Sequence, residues 1–175
     1  EIDSDAAAWR LGSATNIDGS PNRGYKPRHK EGYFPVPPVD HFQDLRSEMV
    51  AALEGCGVEI EIQHHEVATA GQAEIDFRFG TLVKTADTMM LYKYIIKNVA
   101  KKYNKTVTFM PKPLEGVQGS GMHLHLSLFE GDTNAFHSPD DDYNLSLRAR
   151  QFMAGLLRHA AEITAVTNQT VNSYK

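Results

Sequence analysis

Hydrophobic and polar residues alternate along several stretches of the chain, which is the pattern of β-strands that bury one face. The first stretch runs from Val58 to Val67 and the second from Ala73 to Phe79. Residues 69–72, centred on Gly71, separate them as a turn, so the two stretches predict an antiparallel hairpin. A shorter strand is predicted at Thr106–Met110.

Another alternating stretch follows the small residues at 119–121. We expect the residues of one parity to be buried: Met122, Leu124, Leu126 and Leu128. The opposite face would present polar side chains: His123, His125 and Ser127. Small residues ahead of them would let a ligand approach the backbone closely. Histidines on a solvated strand face are equally compatible with ordinary surface residues.

Apolar residues recur at helical spacing over 41–55, 85–103 and 146–167, and each range predicts an amphipathic helix. Asp40 is a candidate N-cap of the first helix, with Gln43 three residues on, and Ser146 is the candidate cap of the last helix. The predicted inner stripe of the middle helix is Ala86, Met89, Met90, Tyr94 and Ile95. The sequence therefore predicts an α+β protein in which a curved antiparallel sheet carries helices on its outer face.

Composition narrows the class of protein. The chain has 175 residues, of which 41% are hydrophobic and 23% charged, as in an ordinary globular domain. A net charge of -4 gives no reason to expect a nucleic acid or an anionic membrane as partner. Cys56 is the only cysteine, which fits a reducing cytoplasm, and no apolar stretch approaches the roughly 20 residues needed to cross a bilayer. The missing initiator methionine suggests a segment of a longer protein.

Acidic and imidazole side chains form the candidate chemistry. Glu66 and Glu74 would meet across the hairpin near its turn, where like charges repel unless a cation or a proton lies between them. Together with His123 they offer oxygen and nitrogen donors without a thiolate, which favours magnesium or manganese. Such a site suits phosphoryl transfer, because metal ions neutralise phosphate oxygens. The sequence has neither a P-loop nor a Rossmann motif.

Several motifs, in order and in register, resemble glutamine synthetase of the bacterial type I class. They are G-Y-F-P-V-P-P-V-D at 32–40, H-H-E-V-A-T-A-G-Q-A-E at 64–74, F-M-P-K-P at 109–113, G-S-G-M-H-L-H-L-S-L at 119–128 and N-S-Y-K at 172–175. The resemblance implies a ligase that uses ATP to phosphorylate the side-chain carboxylate of glutamate, after which ammonia displaces the phosphate. It also implies two Mg²⁺ or Mn²⁺ ions, a cytoplasmic location and a homo-oligomer, a dodecamer for the full-length protein.

The resemblance also implies roles for individual residues. Glu66 and Glu74 would bind the metal at the glutamate and ammonium end, and His123 would bind the metal that bridges the ATP phosphates. Tyr33 would complete an ammonium pocket with Glu66, which accepts the proton. The implied nucleotide contacts are Glu61, Phe77, Phe79, His125 and Ser127. The implied contacts to substrate glutamate are the backbones of Gln118 and Gly119.

Two positions fit this pattern imperfectly. Glu61 and Glu66 have opposite parity on a regular strand, so both roles require a β-bulge, expected near His64 and His65. Gln118 stands where the family commonly has asparagine, which leaves it a backbone role only.

The extent of the resemblance predicts that residues 1–175 are the central part of one catalytic domain. The N-terminal domain and the C-terminal part of the catalytic domain would then be absent, and the isolated chain would be inactive. Three alternatives stay open: a ligase of the same family that uses another amine such as a polyamine, a non-enzymatic structural relative, and a histidine-based zinc hydrolase outside the family.

Overall fold

The computed structural model describes Pro27, residues 30–68 and residues 71–174. They fall into two units, the first ending at Ser120 and the second beginning at Gly121. The first unit holds two helices, α1 (Gln43–Gly55) and α2 (Leu82–Lys102), and a hairpin of strands β1 (Ile60–His65) and β2 (Ala73–Phe77). The second unit holds two short strands, β3 (Phe129–Glu130) and β4 (Thr133–Asn134), followed by α3 (Leu147–Arg158) and α4 (Ala160–Thr167). Short 3₁₀ turns lie at Asp142–Asn144 and Val171–Tyr174.

The predicted α+β class is confirmed, and each sheet in the described part of the chain is a two-stranded antiparallel ribbon. None of the helices in this part is both long enough and apolar enough to cross a membrane.

The core of the first unit lies between α1, α2 and the hairpin. Its buried side chains are Leu45, Met49, Leu53, Val58, Ile75, Tyr92, Ile95, Ile96, Val99 and Ala100. The Tyr92 hydroxyl donates to the backbone oxygen of Ile75 at 3.2 Å, which ties α2 to β2. Burial of apolar area in this cluster is what holds the hairpin against the helices.

The buried face of α2 differs from the predicted stripe. Met90 and Tyr94 are 72% and 67% exposed, so their assignment to the inner face was wrong. Ile96, Val99 and Ala100 occupy that face instead. Methionine and tyrosine are apolar enough for either face, and a helix of 21 residues offers more than one hydrophobic arc, so only the packing partner selects one.

Asp40 does not cap α1 in the predicted way, because the helix begins at Gln43 and Phe42 occupies the N-cap position. The Asp40 carboxylate accepts a hydrogen bond from the Phe42 amide at 3.1 Å and a bidentate pair from Arg46. Asp40 and Arg46 are 5% and 4% exposed. Burial alone would raise the pKa of Asp40, but the hydrogen bonds and charge of Arg46 hold it below its ordinary value. Arg46 Nε also donates to Gln63 on β1 at 2.6 Å.

In the second unit the predicted strand over residues 121–128 does not form, and Thr106–Met110 in the first unit forms no strand either. Met122 and Leu124, expected to be buried, are 60% and 65% exposed. Alternation specifies two faces, but a strand exists only when a neighbouring strand pairs with its backbone. No described segment forms a ladder with either stretch.

The last predicted helix forms but is divided at His159. Ser146 caps α3 as predicted, its hydroxyl accepting from the Ala149 amide at 3.1 Å. The backbone of His159 has φ -102° and ψ 18°, which departs from helical values and separates α3 from α4. His159 still bonds to both helices: its amide donates to the Gly155 oxygen at 3.0 Å, and its backbone oxygen accepts from the Ile163 amide at 2.9 Å.

Core and surface positions on the two helices predict different responses to truncation. Leu53→Ala should lower the free energy of unfolding of the chain by about 2–5 kcal/mol, because Leu53 is fully buried. Met90→Ala is the matched control and should change it by less than about 0.5 kcal/mol. Urea unfolding followed by circular dichroism measures both. An equal loss in the two variants would contradict the observed packing of α2.

Candidate metal centre

The end of the hairpin brings together three side chains that could hold a metal ion. His64, Glu66 and Glu74 each offer one ligand atom, and these atoms all lie within 4.8 Å of one another. His64 Nδ1 lies 3.6 Å from a Glu66 oxygen, and His64 Nε2 lies 3.6 Å from a Glu74 oxygen. The imidazole therefore lies between two carboxylates.

The register of the strands produces this arrangement. His64 and Glu66 are two residues apart and so share a face, and His64 pairs directly across the ladder with Glu74. We expected Glu66 to lie directly across from Glu74, but the direct partner of Glu74 is His64. Glu66 is two residues nearer the turn and is the diagonal neighbour of Glu74. Sequence reasoning did not assign His64 to the site. Its shared parity with Glu66 was the signal that could have found it.

The carboxylates perturb each other. The pKa of Glu74 is raised, first by burial, then by the charge of Asp76 and by the hydrogen bond and charge of Glu66, with His64 acting in the opposite direction. A divalent cation between these oxygens would reverse the balance, since it favours the ionised form. The site thus has the electrostatic character of a cation-binding centre.

One nitrogen of His64 is available as a donor to a metal. His64 Nδ1 lies 3.1 Å from the backbone oxygen of His65. A carbonyl only accepts hydrogen bonds, so this contact places the ring proton on Nδ1. When the ring is neutral, its lone pair is then on Nε2, the nitrogen that lies 3.6 Å from a Glu74 oxygen. One imidazole and two carboxylates, without a thiolate, form a donor set that fits magnesium or manganese.

His65 fastens the backbone around the site. It is 1% exposed. Its Nδ1 lies 2.8 Å from the backbone oxygen of Gly32 and 2.7 Å from the backbone oxygen of Glu66. Its Nε2 accepts from the Gly71 amide at 3.0 Å. Both ring nitrogens are therefore satisfied in the neutral Nδ1–H form. The ring joins the segment before α1, the end of β1 and the turn of the hairpin.

Tyr33 and Phe34 lie against His64 because their segment runs beside β1. Backbone bonds join Gly32 to Val67 at 3.2 Å and Phe34 to the His65 oxygen at 3.3 Å. The Phe34 ring stacks on the His64 imidazole at 4.2 Å, and the Tyr33 ring meets its edge at 5.5 Å. Phe34 has φ +51°, a left-handed conformation that is strained for a bulky residue. The structure thus places Tyr33 beside the His64 imidazole, and Phe34 is a neighbour that the sequence did not reveal.

The residues predicted to meet nucleotide lie in different parts of the chain. Phe77 and Phe79 line a shallow cavity of about 80 Å³ together with Arg78 and Lys84. Glu61 lies on β1 at the opposite end of the hairpin from the turn. His123, His125 and Ser127 are exposed residues of the second unit. Their roles, including that of His123 as a ligand of a second metal, stay predictions.

The β-bulge required for Glu61 and Glu66 is present, but at a different position. Ile60 pairs with Phe77 and Ile62 with Asp76, so two steps on β1 match one on β2 and Glu61 is the extra residue. The ladder from Gln63 to His65, where we expected the bulge, is regular. Extended pairing at His64 and His65 persists because His65 is anchored on both ring nitrogens.

Gly119 lies in the first unit, next to the turn of the hairpin. Its backbone oxygen accepts from the Gln72 side chain at 2.8 Å. A Cβ atom at this position would lie 2.5 Å from the Pro111 oxygen, so only glycine fits. The neighbouring Gln118 is exposed.

These observations define the class first: an α+β protein with a carboxylate–imidazole centre suited to a divalent cation. The sequence model described as "Glutamine synthetase, catalytic domain" matches residues 3–175. The chain therefore belongs to the glutamine synthetase catalytic-domain family.

Individual relatives agree with this assignment. Glutamine synthetase of Frankia alni is 56% identical over 174 residues, covering 99% of this chain and 36% of that protein. Glutamine synthetase of Streptomyces coelicolor is 54% identical over 173 residues, with the same coverage of both chains. The chain thus spans 36% of the length of these curated relatives.

Solved structures match the fold of this chain. A cryo-EM structure of Plasmodium falciparum glutamine synthetase matches with a TM-score of 0.80 and 35% identity, covering 83% of this chain and 28% of that one. A GmaS/ADP complex matches with a TM-score of 0.78 and 30% identity, covering 92% of this chain and 37% of that one.

Gly32 provides a test of how the site is fastened. A Cβ atom on Gly32 would lie 2.4 Å from the backbone oxygen of Glu66 and 2.9 Å from the His65 ring. Gly32→Ala should therefore displace the backbone around Gly32 and lower the free energy of unfolding by about 1–3 kcal/mol. Gly55→Ala is the control, because its Cβ would meet nothing within 4 Å at the end of α1, and it should be neutral or stabilising by up to about 1 kcal/mol. Urea unfolding compares them, and matching effects would rule out the close approach at Gly32.

Proposed function

We propose that the protein carrying this chain is an ATP-dependent glutamate–ammonia ligase that forms glutamine through a γ-glutamyl phosphate. The observation that carries the proposal is the cluster of His64, Glu66 and Glu74 at the hairpin end, in a chain that belongs to the glutamine synthetase family. The names of relatives at 54–56% identity support the same activity.

Glu66, Glu74 and the Nε2 atom of His64 would hold Mg²⁺ or Mn²⁺. When bound, such an ion neutralises negative charge on the substrate oxygens during phosphoryl transfer. Glu66, one of its proposed ligands, would have a second role with Tyr33: the carboxylate and the phenolic oxygen bind ammonium, and Glu66 accepts its proton as ammonia becomes the nucleophile. The position of Tyr33 against His64 supports this pocket.

The remaining site residues complete the proposal. His123 would bind the second metal, and ATP would contact Glu61, Phe77, Phe79, His125 and Ser127. Phe77 and Phe79 line the same small cavity, so the two proposed aromatic contacts lie side by side. The backbones of Gln118 and Gly119 would contact substrate glutamate. A ligase that takes another amine is the second candidate, but Tyr33 and Glu66 together favour ammonium.

The part of the relatives that this chain matches supports a proposal about its place in the whole protein. We place residues 1–175 in the central part of one catalytic domain of a cytoplasmic homo-oligomer, with a dodecamer as the expected assembly. Further segments would then supply the remaining ligands and the groups that bind glutamate and phosphate. A non-enzymatic relative is less well supported, because Glu66 and Glu74, the acidic metal positions that fall within this chain, are both present. A zinc hydrolase from outside the family is less well supported, because the chain belongs to the glutamine synthetase family.

Glu74 is the sharpest single test of the metal centre. In the full-length protein, Glu74→Ala should weaken manganese binding by at least about tenfold, the lower end of what even indirect contacts to a metal cost, and should abolish glutamine formation. Glu54→Ala, which removes an exposed carboxylate from α1, is the control and should leave both unchanged. Calorimetric titration with Mn²⁺ and a glutamine assay read the two effects. Full activity in Glu74→Ala would exclude its role.

The 175-residue chain alone should show no ATP-dependent glutamine formation, because it supplies only part of the proposed site. The measurement compares this chain with the full-length protein at equal molar concentration, with Mn²⁺ or Mg²⁺, ATP, glutamate and ammonium present. Turnover by the isolated chain would refute the placement within a larger catalytic domain.

A further inference from the structure

Gln72 bonds to its own hairpin through two oxygens and to the segment at residues 119–120 through its side-chain nitrogen. Its backbone oxygen accepts from the Glu66 amide at 2.8 Å. Its side-chain Oε1 accepts from the Ala68 amide at 2.9 Å. Its side-chain Nε2 donates to the Gly119 oxygen at 2.8 Å and lies 3.3 Å from Ser120 Oγ. One residue therefore holds both the backbone that carries Glu66 and a segment 47 positions later in the chain.

The peptide group between Gly119 and Ser120 is fixed on both sides. Its carbonyl faces Gln72, and its N–H, the Ser120 amide, donates to the Pro111 oxygen at 2.7 Å. A Cβ on Gly119 would collide with that same Pro111 oxygen. This held peptide plane begins at the Gly119 carbonyl and so anchors the C-terminal end of the Gln118–Gly119 backbone.

We propose that Gln72 is a positioning residue: its side-chain amide sets the Gln118–Gly119 backbone against Glu66 so that this backbone receives substrate glutamate beside the metal centre. The inference rests on the proposed ligase function. The Ala68 amide donates to Oε1 of Gln72 and so fixes which way the side-chain amide of Gln72 is turned. Nε2, with its N–H groups, then faces the Gly119 oxygen. A side chain without a donor at this point would lose the connection while the hairpin kept its register.

Gln72→Glu is the variant that tests this connection, made in the full-length protein. The carboxylate keeps an acceptor for the Ala68 amide but replaces the donor with an oxygen that repels the Gly119 carbonyl. Gln63→Glu is the matched control: it adds the same charge to the same hairpin, and its oxygen still accepts from Arg46 Nε. The KM for glutamate, kcat, manganese affinity and amide hydrogen exchange of residues 117–121 are measured for each.

In Gln72→Glu we expect the KM for glutamate to rise about three- to tenfold, the effect of losing one such hydrogen bond, while kcat and manganese affinity change by less than about twofold. Exchange at residues 117–121 should become faster. Gln63→Glu should match the unaltered protein in all four measurements. This combination of results distinguishes a loss of positioning of the Gln118–Gly119 backbone from general damage to the fold.

Other outcomes contradict the inference. An unchanged KM for glutamate, or manganese affinity lost in parallel with KM, would show that Gln72 does not act through the Gly119 segment. Unchanged exchange at residues 117–121 would show that the amide does not hold that segment at all. If the unaltered full-length protein forms no glutamine, the proposed function itself fails, and the glutamate assignment fails with it; the exchange measurement then still decides whether the Gln72 bridge exists.

Discussion

The antiparallel register between β1 and β2 is the constraint on which the candidate site depends. Side chains alternate between the faces of a strand, so a slip of one residue would send His64 and Glu66 to the opposite face. Ile75 is buried in the core, and its burial holds its neighbour Glu74 on the other face, directly across from His64. The bulge makes Glu61 an extra residue on β1, so Glu61 stands outside the regular alternation that places His64 and Glu66 on one face.

The candidate site brings the carboxylates of Glu66 and Glu74 close together, and hydrogen bonds fix the backbone around Glu66. The backbone amide of Glu66 donates to the backbone oxygen of Gln72. The Glu66 carboxylate accepts from the Val67 amide at 2.9 Å. The buried His65 joins three backbone segments around it. The Asp40–Arg46 pair fastens the far end of the segment that carries Tyr33. Two carboxylates this close repel each other, and a cation or a proton between them relieves the repulsion.

Local signals predicted the helices and the hairpin well, because their causes lie within a few residues. The hydroxyl of Ser146 caps its helix whatever surrounds it, and the alternation around Gly71 is enough to specify an antiparallel pair. The same kind of signal misplaced Met90, because an amphipathic helix with several apolar arcs needs a partner to choose among them. It also predicted a strand at residues 121–128, where the alternation is complete but no described strand pairs with the backbone.

By itself, the sequence determined the family, the hairpin and the three helical ranges, and it singled out Glu66 and Glu74 as a candidate acidic pair, since these rest on residue identity and spacing. The tertiary structure alone decided that His64 stands between the two carboxylates, that Phe34 stacks on it, and that the side chain of Gln72 reaches Gly119. These are contacts across a ladder or between distant segments. Their geometry depends on register and on packing, and no local pattern encodes where two segments of a folded chain will meet.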